Sequence, residues 1–114
     1  MDIVWSSNLE GVPHGMQTRN PEELLAFGEL REKQAQLNRW FQQYASSLTA
    51  EEMDESIEFT FIGGGAGVMK KQDVLLHVVN HASYHRGHIE GVMYQMHIEP
   101  PTTDLPVFLK SENT

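Results

Sequence analysis

The sequence predicts an all-α fold, long amphipathic helices carrying one small β-hairpin near residues 57–70. Three observations lead there. Over two long stretches apolar residues recur at spacings of three, four and seven, which is the period of one helix face. Between those stretches the period falls to two, the pattern of a half-buried strand, and a run of glycines follows. Cysteine is absent and no apolar run reaches the ~18 residues that a membrane span requires, so the chain is expected to hold itself together in water by burial alone. Its 114 residues suit one domain, 1–114.

The elements follow in order. Asp2 to Leu9 is helix-compatible, with Ile3, Val4 and Leu9 loosely periodic, and Gly11 and Pro13 stop it. Asn20-Pro21-Glu22-Glu23 is a helix start: Asn20 can cap free backbone donors, Pro21 fits the first turn, and two glutamates suit the positive end of the dipole. The helix predicted from it runs over 21–48, with a seam of Phe27, Leu30, Leu37, Phe41, Tyr44 and Leu48 that Gln34 interrupts. Thr49-Ala50-Glu51-Glu52 repeats a cap-like signature, but little apolar periodicity follows, so a short helical turn is expected. Ile57, Phe59 and Phe61 then alternate with Glu58 and Thr60, and Gly63-Gly64-Gly65-Ala66-Gly67 supplies the positive φ angles of a hairpin tip. That glycine run lacks the Lys-Ser/Thr ending of a phosphate-binding loop. Val68 to Lys70 returns as the second strand. A second long helix begins near Gln72 or Asp73 and ends about His97, before Pro100-Pro101. Leu75, Val78, Val79, Ala82, Ile89, Val92, Met93 and Met96 form its apolar face.

Charge narrows the function. Sixteen acidic residues stand against eight basic ones, a net charge of −8 that repels phosphate backbones and anionic headgroups. No nucleic acid and no membrane is expected as a partner. The amino-terminal residues have the wrong charge order for a secretory signal, so a soluble, cytoplasmic protein is expected. Without thiolates, any metal here must be held by nitrogen and oxygen.

Four of the six histidines, His77, His81, His85 and His88, fall within twelve positions of the second long helix. At ~100° per residue they project at about 0°, 40°, 80° and 20°, one ridge rather than a scatter. Side chains four apart lie ~6 Å from each other, near enough for two imidazoles to bind one first-row ion, which makes His81 and His85 a candidate clamp. Imidazoles that bond only to neighbouring carboxylates or carbonyls are the competing reading. About 16 Å of helix separates His77 from His88, so one ion cannot use all four. His97 lies at the helix end, suited to the carboxyl-terminal dipole, and His14 sits in a loop between Pro13 and Gly15.

Within this helix the run Leu75-Leu76-His77-Val78-Val79-Asn80-His81-Ala82-Ser83-Tyr84-His85-Arg86-Gly87-His88, followed by Pro100-Pro101-Thr102-Thr103-Asp104-Leu105, resembles the carboxyl-terminal signature of the DinB family. Members read Leu-x-His-x-x-Asn-His-x-x-x-His-Arg-Gly-Gln and then Pro-Pro-x-Thr-Asp-Leu. The likeness is strong over residues 73–109 and weak before them. It implies an up-down four-helix bundle, often dimeric, with a divalent metal, zinc or nickel first among candidates, held by three histidines. Two of these match His81 and His85. Where the family has glutamine this chain has His88. The family's third histidine lies in a helix upstream of Asp2, so a truncated bundle is expected, its coordination completed by water, His14, His88, His77 or a partner subunit. Members with known activity use the metal to activate a low-molecular-weight thiol for transfer or isomerisation. Hydrolysis is chemically open to the same ion. No catalytic residue is assigned, and Glu90 and Tyr84 are not named as bases. Asn80 is expected to bond across helices, Arg86 to pair with an acidic side chain, and Asp104 to fix the tail as a cap or turn. The alternative is a non-catalytic helical dimer with a vestigial or incomplete metal site.

Overall fold

A computed structural model describes residues 2–16 and 25–112. In order it contains α1 (Asp2–Glu10), α2 (Phe27–Ser47), α3 (Ala50–Met53), β1 (Ser56–Thr60), β2 (Ala66–Lys70), α4 (Lys71–Gln95) and α5 (Leu105–Glu112). The chain is mostly helical with one two-stranded antiparallel hairpin, and it divides into two compact units, Met1–Val79 and Asn80–Thr114.

The first unit holds the core. Trp5 and Leu9 of α1, Phe59 of β1 and Val74 of α4 are buried together, ringed by half-buried Trp40, Phe41 and Tyr44 of α2, Ile57, Met69, Leu75 and Val78. Ile3, counted with the apolar side of α1 by its sequence, is instead 45% exposed, and the helix buries Val4, Trp5, Asn8 and Leu9. Aromatic rings do much of the filling: Trp5 meets Phe59 edge-on at 5.1 Å, and Trp40 stacks on Tyr44 at 4.9 Å. Burial pushes the Tyr44 hydroxyl above its ordinary range, keeping it neutral.

Two hydrogen bonds tie α1 to α2. Gln34 Nε2 donates to Asp2 Oδ2 at 2.8 Å and Trp40 Nε1 donates to Glu10 Oε1 at 2.8 Å. The partners occur in the same order along both helices, so this pair runs in the same sense rather than in up-down alternation. Gln34, which breaks the apolar seam, is therefore a cross-helix donor. The cap signature at Asn20 to Glu23 lies outside the described residues, and α2 itself begins later than the predicted 21, at Phe27. Ala26 stands at its cap with extended backbone and no side-chain acceptor. The seam is also shorter than its periodicity, since Phe27 is 79% and Leu30 52% exposed.

The short turn α3 has the capping box that Thr49 and Glu52 foretell: Glu52 N–H donates to Thr49 Oγ1 at 3.1 Å and Thr49 N–H to Glu52 Oε1 at 3.1 Å. Those bonds hold the Glu52 carboxyl below the usual range. In the hairpin, Gly63, Gly64 and Gly65 take φ of 91°, 105° and 96°, angles that side chains resist. Gly67 serves differently. It faces Phe59 across the ladder, and a Cβ there would lie 2.6 Å from the Phe59 ring. β2 passes into α4 without a connecting residue, Lys70 ending the strand and Lys71 opening the helix. Lys71 N–H bonds Glu55 O at 2.9 Å and its Nζ bonds Glu55 Oε2 at 2.9 Å, the second contact raising the Lys71 ammonium above its usual range.

The second unit comprises the later turns of α4, the tail and α5. α4 ends at Gln95, and His97, at φ 59°, is the left-handed residue of its stop. His97 N–H bonds Tyr94 O at 3.1 Å and Ile98 N–H bonds Met93 O at 2.9 Å, the paired bonds that close a helix on such a residue. The same closure ends α1, with Gly11 at φ 73° in the equivalent place. His97 is thus a backbone cap, beyond the dipole partner its position suggested. Thr103 Oγ1 donates to Glu90 Oε1 at 2.7 Å and fastens the tail to α4, after which the Asp104 carbonyl starts α5.

Two substitutions test these backbone assignments. Gly67→Ala should cost about 1–3 kcal/mol in chemical denaturation, because buried Phe59 is wedged against Trp5 and cannot give way. His97→Gly should raise stability by about 0.5–1 kcal/mol, the relief of a left-handed side chain less glycine's extra unfolded freedom; a loss in thermal denaturation would contradict it.

Candidate metal centre

The predicted site residues divide between the units. His14, in the loop after α1, accepts Met16 N–H on Nδ1 at 3.0 Å, which leaves Nε2 as its outward nitrogen. It lines an open cleft of about 480 Å³ with Asn8, Glu58, Phe59 and Thr60. His77 turns into the core of the first unit, its ring edge-on to Trp5 at 5.1 Å. Sequence reasoning left Trp5 out of the core, and only its place in the helix after Val4 hints at burial.

His81, His85 and His88 belong to the second unit, on the uninterrupted turns of α4. His81 and His85 come together: their rings lie 4.5 Å apart at 78°, and Nε2 faces Nε2 at 3.3 Å. Two nitrogens each bound at ~2.0–2.1 Å to a tetrahedral ion stand about 3.3–3.4 Å apart, whereas right-angled coordination would bring them to about 2.9 Å. The separation fits a tetrahedral edge. Between neutral rings it also fits a single N–H···N bond, one donor tautomer facing one acceptor. Half-buried His81 forms the inner side of the pair and exposed His85 the outer. The Tyr84 ring lies edge-on to His85 at 5.5 Å.

The remaining signature residues sit nearby without joining the pair. Asn80 and His88 are exposed, and Arg86 donates to Ser83 Oγ at 3.0 Å in place of the expected carboxylate. Glu90 is engaged by Thr103. Among the described residues no three histidine or acidic side chains converge in a group that could hold a metal ion.

No helix among the described residues is long and apolar enough to cross a membrane. No curated protein and no solved structure matches the chain. The DinB family model matches residues 2–114, taking in the histidine pair, the hairpin and the Thr-Thr-Asp-Leu latch alike, and the chain belongs to the DinB family.

Proposed function

We propose that the chain is a DinB-type metal-binding protein whose His81 and His85 hold a divalent ion, zinc or nickel, for thiol transfer or hydrolysis. The observation that carries this reading is the convergence of the two Nε2 atoms at 3.3 Å. Imidazole is a good ligand for both metals, and a nitrogen-held ion with open positions lowers the pKa of bound water or thiol and polarises an electrophile. The chain's own part is positioning. Four-residue spacing on one helix brings the nitrogens together, and the Tyr84 ring stands edge-on to the outer one. Low-molecular-weight thiols are the substrate class this reading takes.

A second reading, a non-catalytic helical dimer, has its own observation. In the second unit Val92, Met96, Val107 and Phe108 are 41%, 62%, 49% and 57% exposed, more apolar surface than an isolated helix pair keeps in water without a partner. A second copy would bring further helices to such a surface and complete a four-helix arrangement.

The tag-free chain should bind zinc or nickel stoichiometrically, and the double substitution His81→Ala with His85→Ala should abolish it by elemental analysis. Metal retained by the double variant overturns the site. Light scattering at micromolar concentration should give a dimer; a monomer that unfolds cooperatively contradicts self-association. Turnover of several thiols with electrophilic acceptors on the metal-loaded chain separates the two readings.

A further inference from the structure

The hairpin keeps one edge unpaired. Phe61 N–H bonds Gly65 O and Lys71 N–H bonds Glu55 O, so in the register of β1 against β2 it is Ile57, Phe59 and Phe61 whose backbone groups turn toward β2. The N–H and C=O of Glu58 and Thr60 point the other way, where they make no hydrogen bond to a described residue. Two positions apart in a strand, these groups recur at ~6.8 Å. Glu58 and Thr60 line the cleft of about 480 Å³, with residues 11–16 and Asn8 lining the rest. Asn8 is 9% exposed, and its side-chain amide makes no hydrogen bond to another described residue. Unlike Trp5 Nε1, that amide is not sealed from solvent.

We infer that this cleft takes a short extended peptide with a basic side chain, added to the free edge of β1 as an antiparallel third strand. Glu58 and Thr60 would each exchange N–H···O=C bonds with alternate residues of the peptide, so three residues span both, a length suited to a cleft of this volume. The peptide side chain opposite Glu58 stands on the same face of the sheet, with Cβ atoms ~4.5–5.5 Å apart. Glu58 is exposed, and no lysine or arginine lines the cleft among the described residues, so a cationic side chain is the one this position favours. The net charge of −8 attracts such a ligand from a distance. The middle residue of the peptide points to the opposite face, that of Phe59 and α1, where Asn8 supplies both a donor and an acceptor. His14 adds a second donor: with Nδ1 accepting Met16 N–H, the neutral ring carries its proton on Nε2, suited to a peptide carbonyl.

Titrating the blocked tripeptide Ac-Lys-Ser-Lys-NH2 into the isotope-labelled 114-residue chain, followed by amide NMR, tests this. The amides of Glu58 and Thr60 should shift and exchange more slowly with solvent, while that of Phe59, already committed to β2, moves less. Ac-Glu-Ser-Glu-NH2 should bind about threefold or more weakly, and Glu58→Lys, an exposed substitution, should reverse that order. Methylating the two lysine backbone nitrogens of the peptide should remove the shifts. If the Glu58 and Thr60 amides stay still at millimolar peptide, or the methylated peptide binds as well as the parent, β1 accepts no third strand and the inference fails. If those amides shift with protein concentration alone, the edge pairs with a second copy of the chain and the inference fails as well.

Discussion

The indole of Trp5 is the contact on which the packed part of the molecule depends. It is 8% exposed, it meets Phe59 of the hairpin and His77 of α4, and α1 presents it to both. Burying an indole removes ~150–250 Å² from water, worth about 4–6 kcal/mol. Its Nε1 is buried without a hydrogen-bond partner among the described residues, which costs about 1–3 kcal/mol. Burial wins, so an imperfectly satisfied ring can still be the centre of the core. Trp40 solves the same problem otherwise, reaching Glu10 with its N–H while stacking on Tyr44.

Much of this was legible in the sequence because local chemistry and final structure agree there. The hairpin follows from Ile57, Phe59 and the glycine run, and the turn at Thr49 from a capping box complete in four residues. Other features are decided by partners that sequence spacing does not display. Gln34 interrupts the seam of α2 because Asp2 stands opposite it, and Ile3 stays outside because Trp5 takes the inward place on α1. α5 shows a related gap. Asp104 is readable as a cap and Pro106 as a first-turn residue, but helix α5 leaves Leu105, Val107, Phe108 and Leu109 all more than two-fifths exposed, so no single buried face announces it.

The candidate site was legible to a different depth. Spacing alone separates His81 and His85 as the pair able to converge, and their nitrogens do converge. Nothing in spacing tells His77 from the others, because its membership of the core depends on Trp5, seventy-two positions earlier in the chain. A ridge that looks uniform on a helical projection is thus divided by tertiary contact, one imidazole spent on packing and two on each other.

The direct passage of β2 into α4 has a consequence for how such a chain can vary. With Lys70 closing the strand and Lys71 opening the helix, the phase of α4 is inherited from the pleat of the hairpin. One residue gained or lost at this joint would roll the helix by ~100° and carry Val74, wholly buried here, out toward solvent. The glycine tip can tolerate changes of length, because a Cβ added at Gly63, Gly64 or Gly65 would meet no described atom within 4 Å beyond its chain neighbours. The joint behaves as a splined shaft, on which the opening turns of the helix fit in one angular position.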